Sequence, residues 1–194
     1  MIGNVAQRRE ERVAAIVAAA WELAGTHGIG GLSLHALARE VGIRQPSLYS
    51  YFESKNALYD AMFADGNQQL LARLVALKLP RQPRAALKTY LAAFTAFALE
   101  DPARYELLFQ RHIPGFTPSP QSYEIAAEVL GRAVVLMNDA GITRQGDIDC
   151  VVAMSAGLIE AQMSNDPGGN RWTRHLNRLV DLLVDDATDR SNVK

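Results

Sequence analysis

Between residues 44 and 55 the chain reads RQPSLYSYFESK, and its side chains are of the types that read a base edge. Gln45 can pair bidentately with adenine, Pro46 and Tyr49 offer apolar contact to a thymine methyl, and Ser47 can reach a phosphate oxygen. A helix that only faces water carries Glu, Lys and Ala on its outer side; this one does not. Arg44 precedes the set and Lys55 closes it. No grouping of this kind points to covalent chemistry. The four histidines, His27, His35, His112 and His175, are scattered, none forms an HExxH pair, and the chain carries neither a P-loop nor a GxGxxG pattern. The expectation is a protein that is not an enzyme and uses no metal or cofactor.

The element that must position these residues is a helix-turn-helix, in LSLHALAREVGIRQPSLYSYF. Leu37, Ala38 and Val41 face inward from a first short helix. Gly42 supplies the turn, because only glycine takes positive φ without strain, and Ile43 plugs the corner. Leu48 and Tyr51 anchor a second helix, which leaves Gln45, Pro46, Ser47, Tyr49 and Ser50 facing out. The same spacing would also suit a corner in an all-α enzyme whose polar residues are merely solvated.

Helical periodicity runs through the rest of the chain, and no stretch alternates at period two. Val13, Ile16, Val17, Ala20, Leu23 and Ala24 form one stripe of a helix over about 6–26, closed by His27-Gly28. Ser33 is placed to cap a helix through Val41, and Pro46 is tolerated in the first turn of a helix over 45–51. Ser54 caps a long helix reaching about residue 78. Further helices are predicted at 84–99, 102–112, 121–140, 147–164 and 171–186, separated by LPRQP, IPGFTPSP and NDPGGN. The fold class is therefore all-α with about nine helices. It divides into a three-helix head, residues 1–54, and a larger helical body, residues 55–194.

The 20 basic and 21 acidic residues nearly cancel, so any attraction to DNA must come from local placement. The only cysteine, Cys150, lies beside the apolar run VVAM and reads as a buried packing residue; one cysteine excludes an internal disulfide framework. No apolar run approaches the ~20 residues that span a bilayer, and the N-terminus lacks a signal-peptide pattern. A cytoplasmic protein without membrane contact is expected.

The segment GIGGLSLHALAREVGIRQPSLYSYFESKNAL, with the first helix before it, resembles the TetR family of bacterial transcriptional repressors. LYSYFESKNAL is its most specific part, and QPSLY is similar to the recognition helix of the tetracycline repressor. The resemblance covers about residues 8–65. It implies a homodimer with this DNA-binding head and a divergent helical body that takes a small-molecule effector of unknown identity. Position by position, Gln45, Pro46 and Tyr49 match base contacts, while Ser33, Ser47 and Lys55 match phosphate contacts, with Ser50 beside them. His35 stands where the tetracycline repressor has a base-reading arginine, and Arg44 where it has an acidic residue. The partner implied is double-stranded DNA with a palindromic operator.

Small residues Ala153, Gly157 and Ala161, followed by Trp172, Leu176, Leu179 and Leu183, suit helix pairing across a two-fold axis, as in the family. Packing within one subunit would use the same residues. Phe94, Phe97, Tyr105, Phe109, His112 and Met154 are candidates to line an effector pocket. The alternative to an effector-controlled repressor is an architectural DNA-binding protein, which relies on backbone contacts and deformation. A base-reading face argues against it.

Overall fold

The computed structural model describes residues 2–110 and 112–192. All regular structure among them is helical: α1 (Ile2–His27), α2 (Leu34–Glu40), α3 (Gln45–Leu48), α4 (Lys55–Val75), α5 (Pro83–Glu100), α6 (Pro102–Phe109), α7 (Pro120–Asp139), α8 (Gln145–Asn165) and α9 (Leu176–Asn192), with one 3₁₀ turn at Thr173–His175. The expected all-α class and its helix order are observed.

Packing divides the chain into two units: Met1–Gln69 with Asp101–Ala126, and Leu70–Glu100 with Ala127–Lys194. The first unit is larger than the three-helix head read at 1–54, because α6 and the start of α4 share its core. Ile16, Val17, Ala20 and Ala24 of α1 form the predicted stripe, and Leu37, Leu48, Phe52, Leu58, Met62, Ala103 and Leu107 close around them. Gly66 lets α4 run close to its neighbours. A Cβ built there would lie 3.1 Å from Leu108 and 3.3 Å from Trp21. Trp21 is fixed there by its indole N–H, which donates to Asp65 at 2.8 Å.

In the second unit, α5, α8 and α9 bury Leu87, Tyr90 and Leu91 with Val151, Leu158 and Ile159 and with Leu176, Val180 and Val184. Tyr90 donates to the Val129 carbonyl at 2.8 Å, and burial pushes its hydroxyl pKa up to about 12. Asp147 meets Arg190 at 2.7 Å. Arg84 and Lys88 of α5 both bind Asp181 of α9. Among the described residues, no helix is long and apolar enough to cross a membrane.

Several local expectations are corrected. Cys150 is exposed. The buried face of α8 is Ile148, Val151, Ser155, Leu158, Ile159 and Gln162, and at about 100° per residue position 150 falls on the opposite side. The apolar run VVAM straddles both faces, so Val152 is 45% exposed. α4 stops at Val75 rather than near 78, loosening into a Leu77 N–H to Leu74 carbonyl turn before Pro80. α6 ends at Phe109, where Gln110 turns extended.

Candidate nucleic-acid interface

The recognition segment is built from its caps inward. Ser33 is extended and its hydroxyl oxygen accepts the Ala36 N–H, so it caps α2 as the sequence predicts. α2 ends in a Schellman closure, in which Ile43 N–H bonds the Ala38 carbonyl at 2.9 Å and Gly42 N–H bonds Arg39 at 3.2 Å. Gly42 has φ +69°, the conformation the turn was expected to need. Leu37 and Ala38 are buried beneath it.

α3 has only four helical residues, fewer than the 45–51 expected. Beyond Leu48 the chain tightens: Ser50 N–H bonds Ser47, and the Tyr51 and Phe52 N–H groups both bond the Leu48 carbonyl at 3.0 Å. The inward anchors are consequently Leu48 and Phe52, 1% and 5% exposed, whereas Tyr51 is half-buried. The i, i+4 spacing of 48 and 52 could have shown this in the sequence. Pro46, Ser47, Tyr49 and Ser50 face solvent, Tyr49 being 48% exposed, and Gln45 is half-buried. His35 and Arg44 are exposed beside them. These candidates thus lie together on one turn-helix surface of the first unit.

The two serines differ chemically. The Ser50 hydroxyl donates to the Ser47 carbonyl at 2.7 Å, so it must give up that bond before donating to a phosphate; the Ser47 side chain is exposed. Lys55 opens α4 behind Ser54, whose oxygen accepts the Ala57 N–H at 3.1 Å. Its ammonium sits 5.3 Å from the centroid of the Tyr59 ring. Loop 113–120 holds this turn: Asn56 donates to the Gly115 carbonyl at 2.9 Å, and Asp60 accepts the Ser119 N–H at 2.7 Å and the Ser122 hydroxyl at 3.0 Å. If Lys55 meets a DNA phosphate, its replacement by alanine should weaken specific and unspecific DNA about equally, and reduce the salt dependence by about one unit per chain. Affinity titrations at several salt concentrations measure both.

Arg9 and Arg12 sit in the mixed-charge run RREER, where nothing in the sequence sets them apart from ordinary solvated residues. Arg9 donates to the Ser50 carbonyl at 3.0 Å and Arg12 to the Val41 carbonyl at 2.7 Å.

The effector-pocket candidates separate. Phe94 and Met154 are half-buried and Phe97 buried in the second unit. Tyr105 is buried in the first unit, where Phe109 and His112 are exposed. One further group was not picked out from sequence. Thr95 is 4% exposed, and its hydroxyl has no hydrogen-bond partner among the described residues. Thr89, Ser155 and Thr188 each bond the carbonyl four residues back; Thr95 does not.

On the pairing candidates, Ala153 and Gly157 are exposed on α8, while Ala161, Trp172, Leu179 and Leu183 are half-buried. Leu176 is already buried within its own chain. Val152 and Leu182, 45% and 54% exposed, add apolar surface on these two helices.

The profile of bacterial regulatory proteins of the tetR family matches residues 16–62, the span that builds this interface. The chain is 32% identical over 91 residues to the HTH-type transcriptional regulator YobS of Bacillus subtilis, covering 47% of this chain and 48% of that protein. It is 40% identical over 65 residues to the class D tetracycline repressor of Escherichia coli, covering 34% of this chain and 28% of the repressor. The chain spans about half the length of the curated relatives it matches. Among solved structures, regulatory protein SCO4313 aligns over 93% of this chain and 97% of its own, with TM-score 0.70 and 25% identity. The relatives are regulators, not enzymes.

Proposed function

The chain belongs to the tetR family of bacterial regulatory proteins, and on that premise we propose that it is a ligand-responsive repressor. It binds an inverted-repeat operator as a homodimer and leaves when a small molecule fills its helical body. The observation that carries this reading is the exposed set Pro46, Ser47 and Tyr49 held over the buried Leu48 and Phe52. In this reading His35, Arg44, Gln45, Pro46 and Tyr49 contact bases, and Ser33, Ser47, Ser50 and Lys55 contact phosphates. Residues 1–54 then carry the DNA contacts apart from Lys55, which opens α4, and the rest of 55–194 carries ligand binding and dimerisation.

Two recognition helices related by a two-fold axis enter successive major grooves, with half-sites about one helical turn (~10 base pairs) apart or somewhat more. The pairing surface is formed by Val152, Ala153, Gly157 and Ala161 of α8 with Leu179, Leu182 and Leu183 of α9, and Trp172 near its edge. An effector must bind the released state better than the DNA-bound state, or it shifts nothing. A ~100-fold preference corresponds to about 2.7 kcal/mol, within the usual allosteric range.

Thr95 supports an effector site in the second unit, which also holds Phe94, Phe97 and Met154, because a buried hydroxyl without a partner costs about 1–3 kcal/mol. A bound ligand with a hydrogen-bonding group would satisfy it. Thr95→Val removes that cost, so it should raise stability by about 1 kcal/mol and the melting temperature by about 2–4 °C. A calorimetric scan without ligand measures this, and a fall in melting temperature would contradict it.

The whole reading is tested by retaining fragmented source-genome DNA on the purified protein at near-physiological salt and sequencing what binds. A short inverted repeat upstream of particular genes is expected. Unselective retention that vanishes with added salt would instead favour the architectural alternative.

A further inference from the structure

Two arginines of α1 hold the turn and the far end of the helix-turn-helix, and we propose that they set operator specificity without touching a base. Arg12 donates to the Val41 carbonyl at 2.7 Å, at the closing residue of α2. Arg9 donates to the Ser50 carbonyl at 3.0 Å, one residue beyond Tyr49, and its guanidinium lies 5.4 Å from the centroid of the Tyr51 ring. The two positions are three apart on α1 and continue, toward its N-terminus, the stripe of Val13, Ile16, Val17 and Ala20 that packs on the same core. The face that buries α1 against the helix-turn-helix therefore ends in two cations, one set on the carbonyl that closes α2 and one on a carbonyl two residues beyond α3.

The chemistry favours this arrangement. At Val41 the last carbonyls of α2 have no intrahelical partner, and the Arg12 cation there meets the negative end of the helix dipole. α3 is short, so few backbone bonds of its own fix its direction. Leu48 and Phe52 hold its inner side, but one apolar row leaves rotation about that row weakly resisted. Arg9 restrains the outer end of the segment and Arg12 restrains the turn that leads into it. A base contact depends on placement to a fraction of an ångström, whereas a phosphate contact tolerates more slack. Loss of either arginine is therefore felt in discrimination rather than in overall attraction.

This inference rests on the regulator reading, and its test separates the two. Binding is measured by fluorescence anisotropy, over a range of salt, on the fragment selected by the wild-type protein and on a duplex of the same length with shuffled sequence. Arg12→Met should lower the ratio of the two affinities about tenfold. It should leave the shuffled duplex and its salt slope nearly unchanged. Arg12→Lys should recover most of the ratio, because the carbonyl needs one charged donor. Arg9→Met, at an exposed position that folding tolerates, should act in the same direction. Equal weakening on both duplexes, with the salt slope reduced by about one unit per protomer, would make the arginines phosphate ligands and overturn the proposal. An unchanged ratio in all three variants would overturn it as well. A wild-type protein with no preference between the duplexes would sink the regulator reading itself.

Discussion

Replacing Tyr49 with alanine should lower operator affinity by about 1–3 kcal/mol, roughly 5- to 150-fold, and relax the preference at one base step. Tyr49 is 48% exposed and follows directly on the buried Leu48, so its ring projects from the surface without supporting the core. The change should therefore leave the melting temperature nearly unmoved while altering sequence preference. Unspecific DNA, attracted through phosphates, should be bound almost as before. Repeating the fragment selection with the variant measures the effect: the repeat should persist with one position per half-site degenerate. An intact consensus would mean that the recognition segment meets DNA in another orientation.

The second large effect concerns the support beneath that face. Phe52→Ala should cost about 3–5 kcal/mol of stability, the range for deleting a buried aromatic ring. Phe52 is 5% exposed among Ile16, Leu48, Leu58 and Met62, and its N–H closes the segment onto the Leu48 carbonyl at 3.0 Å. Domains of this size hold only about 5–15 kcal/mol in total, so the loss takes a large share. Urea unfolding followed by circular dichroism should show a clear fall in midpoint. Excess operator should recover part of it, since DNA binds the folded state alone. A variant as stable as the wild type would show that Tyr51, rather than Phe52, anchors the segment.

Much of the fold was legible because its signals are local. The period-3.6 stripe from Val13 to Ala24 fixed α1, Ser33 marked the start of α2, and Gly42 marked the turn with the positive φ it adopts. What escaped depended on distant partners. Nothing around Leu107 announces that α6 joins the core of the first unit, because that contact pairs residues far apart in sequence. Cys150 is exposed against expectation because apolar neighbours in a row do not say which side of a helix faces in. The length of α3 turned on whether the bonds after Leu48 span three residues or four, a choice that composition does not encode. Of the site, the exposed set at 46–50 could be read directly once its anchor was located. Arg9 and Arg12 could not, since an arginine set on a distant carbonyl looks, in sequence, like any surface charge.

The claim at the centre of this account is that the surface around Tyr49 reads bases in the major groove. The most direct test replaces each thymine of the selected half-site by uracil, which deletes only the C5-methyl group, and measures affinity for the wild-type protein and for Tyr49→Ala. The account predicts one or two positions per half-site at which the methyl matters to the wild-type protein, and at least one of them should fall silent in the variant, since a shared contact cannot be lost twice. If every uracil substitution were neutral, or if the losses were the same in both proteins, Tyr49 would not be reading the groove and the proposed interface would be wrong.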